Sequence, residues 1–275
     1  MLARAEDGWE LWWDESGDPG LDPDAAPLLL IMGLGYPSAM WWRWLPELSA
    51  THRVIRFDNR GVGRTGVAPG PYTIEQLAAD AVVVLDAAGV EAAHVIGASM
   101  GGMIAQELAL SHPGRVESLV LACTGPGGAE QVPPEPEALE MAAARATVSP
   151  EEAAEMSRQR IEEDLAVRAA EPTDPEGYTN QLLAVVGHGG SASRLEDLTV
   201  PTLVVHGMDD RLVPPDNGRF LAKAIPGAQL VLLEDASHIL FTDQPERSLD
   251  AVTSFIAGPG DARRSRGVRR TSTSR

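Results

Sequence analysis

The chain has 275 residues, 44% hydrophobic and 23% charged, the make-up of a soluble globular protein long enough for one large α/β domain. A formal net charge of −18 argues against nucleic-acid partners, whose phosphates it would repel, and no run of roughly 18 uncharged apolar residues is available to span a membrane. One cysteine, Cys123, excludes an internal disulfide framework, and the start MLARAEDGWELWWDE meets acidic residues too early for a signal peptide, so a cytoplasmic protein is expected.

In chain order, WELWWDE predicts an edge strand. The stretch LLLIMGLGYPSAMWWRW, Leu28 to Trp44, reads as a buried strand, a glycine-rich turn and a dense set of tryptophans. HRVIRFDNRG is a further strand. TIEQLAADAVVVLDAAG is a helix with Thr73 as N-cap and Gly89 as its stop. AAHVIGAS is a strand, MGGMIAQELALSHPG a helix ending near Pro113, and VESLVLACTG a strand again. PTLVVHGMDD and AQLVLLEDASH are strands on either side of the helical NGRFLAKAI, and QPERSLDAVTSFIAG closes as a helix. Near-continuous apolar strands alternating with helices predict an α/β fold, a mostly parallel twisted sheet covered on both faces.

The alternation breaks between residues 127 and 198. GPGGAEQVPPEPE is too rich in proline and glycine for a core element, and PEEAAEMSRQRIEEDLAVRAAE is a charged amphipathic helical stretch. The expected organisation is a core over 1–126 and 199–258, a short helical cap over 127–198 and a disordered basic tail over 259–275. A solvated tail is the simplest reading of that arginine- and serine-rich end, with contact to an anionic partner as the alternative.

The chemistry concentrates in a few places. HVIGASMGG matches G-x-S-x-G at Ser99, with a strand before it and a helix after it. That context exposes the serine in a sharp turn and aims the helix N-terminus at the same spot. A serine hydroxyl needs a base. Of the six histidines, His94 and His112 sit where structural roles are expected, and His206 lies inside an apolar strand as a satisfied buried side chain. His52 has no supporting pattern, and His188, in GHGG, reads as part of a solvated loop. His238, in DASHIL, follows a parallel strand, where open α/β sheets place their crevice. The preceding strand ends in HGMDD and offers Asp210 as the orienting carboxylate, with Asp209 as the alternative.

With these residues in the order Ser99, Asp210, His238, the sequence resembles the α/β-hydrolase superfamily from about Trp9 to Ile256. GASMGG resembles the nucleophile elbow, RFDNRGVGRTG the D-x-R-G-x-G-x-S segment, VPTLVVHGMDDRLVP the acid segment and DASHILFTDQPE the histidine segment. Within that family the sequence is similar to aclacinomycin methylesterase-like esterases and to 3-oxoadipate enol-lactonases. The resemblance implies a Ser99–His238–Asp210 triad and an oxyanion hole built from the Leu34 and Met100 N–H groups. It assigns Asp58, Asn59 and Arg60 to bracing, and it implies no metal and no organic cofactor. Met32 stands where the family often has histidine, so a brace is missing and the tryptophans behind the loop are the expected substitute. Trp41 and Trp42 are candidate pocket walls, with core packing as the alternative.

The expected activity is hydrolysis of a small or medium carboxylic ester, with an ester or lactone as the small-molecule partner. Lactone opening, carbon–carbon hydrolysis and cofactor-free perhydrolysis would use the same triad. A non-catalytic binding protein is the reading from a different class. Epoxide hydrolases and haloalkane dehalogenases are disfavoured because they place aspartate where Ser99 stands. Nothing in the sequence reads on oligomeric state.

Overall fold

A computed structural model describes residues 1–22, 25–138, 158–171 and 173–258. Its strands are β1 (Leu2–Arg4), β2 (Glu10–Ser16), β3 (Leu28–Ile31), β4 (Val54–Phe57), β5 (Ala93–Ala98), β6 (Val116–Ala122), β7 (Thr202–Gly207) and β8 (Gln229–Leu233). They form one sheet in the order β1-β2-β4-β3-β5-β6-β7-β8. The pairs β1–β2 and β2–β4 are antiparallel, and every later pair is parallel. The expected edge strand is therefore one strand in. Leu2–Arg4 pairs outside it, a three-residue element too short to show a period of its own.

The helices are α1 (Leu45–Ser49), α2 (Ile74–Ala87), α3 (Met100–Ser111), α4 (Arg158–Ala170), α5 (Pro175–Gly187), α6 (Asp216–Ala224), α7 (Leu240–Asp243) and α8 (Pro245–Ile256). The N-cap and stop of α2 are as the sequence suggests. Thr73 Oγ1 accepts the Gln76 N–H at 3.1 Å, and Gly89 follows the helix at φ +67°. The region 127–198 contributes α4 and α5, while residues 139–157 and 172 lie outside the described residues, as does the basic tail over 259–275.

Why the central strands read as unbroken apolar runs is visible in the packing. Leu29, Ile31, Ile55, Val95, Leu119 and Val204 point into one buried cluster with α2, α3 and α6. Their neighbours Leu28, Leu30, Val54, Ile96, Val120 and Val205 point into a second cluster with α1, α7 and α8. Period-two alternation is present, but both faces are covered, so both sets must be apolar. Parallel strands all end on one side. Met32, Asp58, Ser99 and Cys123 each follow directly from a strand's C-terminal end, and Asp210 and His238 lie a few residues beyond β7 and β8. An open cleft of about 820 Å³ occupies the opposite rim, lined by Glu15, Asp18, Arg53, Glu91 and Glu117, away from all of these.

Arg60 locks the turn after β4 to α2. Its guanidinium, 2% exposed, binds the buried Asp80 carboxylate at 2.6 and 2.8 Å and also pairs with Asp7. Burial pushes the Asp80 carboxyl up, and Arg60 opposes this. Removing the cation leaves an uncompensated buried charge. Arg60→Met should therefore lower the unfolding free energy by about 3–5 kcal/mol, read from urea denaturation.

Candidate active site

The turn between β5 and α3 holds Ser99 at φ 55°, ψ −120°, a conformation that L-residues rarely adopt. Packing enforces it. A Cβ on Gly97 would collide with the Gly101 carbonyl, and one on Gly101 with the Ile31 carbonyl. The turn's backbone is anchored on both sides: the Ser99 N–H donates to the Ala122 carbonyl at 2.9 Å, and Thr124 Oγ1 donates to the Ser99 carbonyl at 2.7 Å. Ser99 Oγ is thereby presented at the sheet's C-terminal rim, beside the N-terminus of α3.

His238 Nε2 lies 3.0 Å from Ser99 Oγ, and its Nδ1 lies 2.8 Å from Asp210 Oδ2. With a carboxylate acceptor at Nδ1, the ring proton belongs there, leaving the Nε2 lone pair facing the hydroxyl. Asp210 is 2% exposed and accepts the Leu212 and Val213 N–H groups at 3.0 and 2.8 Å on Oδ1. A second imidazole, His206, stands 3.3 Å from Oδ2. Burial alone would raise the Asp210 pKa. The charge and hydrogen bonds of His238 and His206 outweigh it and hold the carboxyl well below the usual range. Asp209, the alternative acid, is exposed and is not the partner of His238. The turn carrying His238 is itself clamped, since Asp243 Oδ2 accepts both the N–H and the Oγ–H of Ser237 at 2.7 and 2.6 Å.

The loop after β3 abuts the same serine. A Cβ on Gly33 would stand 3.0 Å from Ser99 Cβ, so the Gly33–Leu34 peptide lies directly alongside it. Met100 opens α3, where a backbone N–H has no intrahelical acceptor. A hydroxyl, an adjacent lone pair, a buried carboxylate and a helix N-terminus in this relation can activate an oxygen nucleophile and receive negative charge on a substrate oxygen. Among the described residues, one grouping of three possible metal ligands occurs, namely Cys123, His206 and Asp210. The Asp210 oxygens there are already taken by two backbone N–H groups and two imidazoles.

A family model described as the alpha/beta hydrolase fold matches residues 26–146 and 137–245. The chain belongs to the α/β-hydrolase family. Among relatives of this α/β hydrolase is rhodomycin D methylesterase of Streptomyces peucetius, 32% identical over 84% of this chain and 89% of the relative. Another is the provisionally named carbamate hydrolase RutD of Azorhizobium caulinodans, 34% identical over 80% of this chain and 87% of the relative. Among solved structures, the enol-lactonase of Burkholderia xenovorans superposes with a TM-score of 0.77 at 31% identity, covering 94% of this chain and all of that one.

Two expectations for this hydrolase need correction. Trp41 is not a pocket wall: at 1% exposure it belongs to the core cluster that also holds Met32, Met40 and Trp44. Its ring centroid is 5.4 Å from that of Trp44 and 5.9 Å from that of Phe241 in α7. The helical turn over Ser38–Arg43 sends Trp41 and Trp44 inward together and Trp42 outward, where its indole N–H donates to Asp164 of α4 at 3.1 Å. His188 is likewise no solvated loop residue. It is 6% exposed, packed on Gly127, with Nδ1 3.5 Å from Glu75. A local run of glycines looks flexible in sequence, but here the two ends of the region 127–198 pack on each other, with the Ser191 N–H on the Pro126 carbonyl at 2.8 Å.

Sequence reasoning missed Asp164. It lies within the charged stretch read as an amphipathic helix, and nothing local separates it from its solvated neighbours. In the fold it is 8% exposed and accepts from Trp42, from Arg43 at 3.1 Å and from Thr242 at 2.6 Å, tying α4 to the segment after His238. Behind Met32, Trp41 and Trp44 share its core cluster as expected, and polar contacts add to that packing. Asn59 Nδ2 donates to the Met32 carbonyl at 3.0 Å, and the Ser38 N–H and Oγ–H both donate to Asp58 Oδ1 at 2.7 Å.

A carboxylate whose folded pKa is depressed contributes stability that is complete above its unfolded value, about 3.9, and is lost as pH falls toward the folded value. Asp210→Asn removes that contribution. The stability gap between parent and variant should therefore be widest near neutrality and shrink below about pH 4, as measured by denaturant titration across pH.

Proposed function

We propose that this α/β hydrolase cleaves a carboxylic ester through an acyl-enzyme on Ser99. The observation that carries the reading is the hydrogen-bonded line from Asp210 through His238 to Ser99, with spacings of 2.8 and 3.0 Å. Ser99 Oγ attacks the ester carbonyl carbon as His238 Nε2 takes its proton. Asp210 keeps the imidazole in the productive tautomer and stabilises the imidazolium. The oxyanion is held by the Leu34 and Met100 N–H groups, helped by the dipole of α3. The tetrahedral intermediate collapses, the C–O bond breaks, and the leaving alcohol carries away the proton from His238. Water then attacks the acyl carbon with His238 as base, freeing the acid and restoring Ser99.

In this reading the described helices α4 and α5 act as a cap at the strand ends and shape what reaches Ser99. Opening of a lactone is the same chemistry with the leaving hydroxyl tethered to the acyl group, and the likeness to an enol-lactonase favours including it.

Ser99→Ala should lower hydrolysis of p-nitrophenyl esters by about 10³-fold or more without changing the fold, and Asp210→Asn by roughly 10³–10⁴-fold. Parent protein should be labelled by a fluorophosphonate probe at Ser99. Full activity in Ser99→Ala would sink the mechanism. A parallel panel of linear esters and lactones ranks the two substrate classes.

A further inference from the structure

Leu34, the proposed oxyanion donor, is flanked by two peptide planes. In the first, Gly33–Leu34, the Gly33 carbonyl accepts the Tyr36 N–H at 3.3 Å, a turn within the loop itself. In the second, Leu34–Gly35, the N–H of Gly35 donates to Gln181 Oε1 at 2.8 Å. The next carbonyl, that of Gly35, accepts from Thr173 Oγ1 at 2.5 Å. Both side chains come from the region between β6 and β7, about 140 residues away in sequence, as their separations of 146 and 138 record.

Gln181 projects from α5 with no exposed surface, and its amide is used at both ends. Nε2 donates to the Arg60 carbonyl at 2.6 Å, in the turn after β4. One side chain thus bridges the loops that follow two neighbouring strands. The fit leaves no room for slack. Gly35 has φ +72°, and a Cβ there would stand 2.7 Å from the Tyr178 ring. A Cβ on Gly61 would stand 2.7 Å from the Gly177 carbonyl, so the backbone of α5 rests on the same turn. Behind the loop, Met32 is committed to the core and offers no polar contact of its own side chain.

We infer that Gln181 is a positioning residue for the oxyanion half of the site: through Gly35 it sets the direction of the Leu34 N–H. The inference rests on the acyl-transfer reading above. Leu34 N–H and Gly35 N–H are separated by one residue, so a rotation of the Leu34–Gly35 peptide is transmitted to the donor through two dihedral angles. A loop whose bracing histidine is absent is then held from the covering segment, and the geometry that stabilises the transition state depends on how that segment docks. An effect of this kind falls on the transition state more than on the ground state, because the donor is aimed at the oxyanion and not at the planar carbonyl.

Gln181→Met keeps the volume and removes both hydrogen bonds. With a p-nitrophenyl ester, kcat should fall by about 10–100-fold while KM stays within about threefold, less than complete loss of a donor. The inhibition constant of phenylboronic acid, whose serine adduct places an oxygen in the same hole, should rise by a similar factor. Thr173→Val, at a half-exposed position, should move both quantities the same way by a smaller factor and supplies the reading if Gln181→Met does not fold. An unchanged kcat with raised KM would overturn the inference, as would a fallen kcat with unaltered boronate affinity. Fluorophosphonate labelling of the parent, lost in Ser99→Ala, tests the underlying reading separately. If the parent is not labelled, that reading fails and not only the role of Gln181.

Discussion

Everything at the strand ends is arranged around the backbone of Ser99. A residue with a side chain held at φ 55° costs about 1–3 kcal/mol, and such strain persists only where the surroundings over-determine it. Here the surroundings are three backbones packed to contact. Gly97, Gly101 and the end of β3 meet so closely that no Cβ fits at either glycine. The same closeness brings the loop after β3 against Ser99, so the constraint that exposes the hydroxyl also supplies a second wall beside it.

The charged groups follow a common pattern. Asp58, Asp80 and Asp210 are all buried, and each is surrounded by donors: backbone N–H groups and Ser38 for Asp58, Arg60 for Asp80, two N–H groups and two imidazoles for Asp210. Burying a carboxylate without such partners would cost several kcal/mol, so each one fixes the loop that provides its donors. Asp58 stiffens the loop after β3, and Asp210 stiffens its own turn and the histidine opposite. The region between β6 and β7 is attached by the same means. Asp164 joins it to the segment after His238 and Gln181 joins it to the loops after β3 and β4, so its docking and the geometry at the strand ends are one arrangement.

Much of this was legible in the sequence. The parallel strands, their helices and the positions of Ser99, Asp210 and His238 can be read from apolar runs, turn glycines and motif order, because those signals are local. Trp41 and Trp42 show where local reading stops. Three tryptophans within four residues announce a contact surface, but only the helical phase after Pro37 decides that Trp41 and Trp44 turn into the core while Trp42 meets Asp164. His188 is the same lesson in reverse: a glycine-rich surround suggests solvent, and packing of distant segments buries it.

The sequence by itself determined that the chain is an α/β hydrolase with a serine at the elbow and an acid and a histidine after later strands. These are properties of short stretches, where one residue's spacing decides turn, strand end or helix cap. Only the tertiary structure decided which of the clustered tryptophans turn inward, what meets Asp164 and which side chains hold the loop after β3. Those outcomes depend on contacts such as Gly35 with Gln181 and Asp164 with Thr242, made between residues far apart in sequence. A hydrogen bond between distant segments leaves no periodicity in either, so its existence is set by the folded geometry alone.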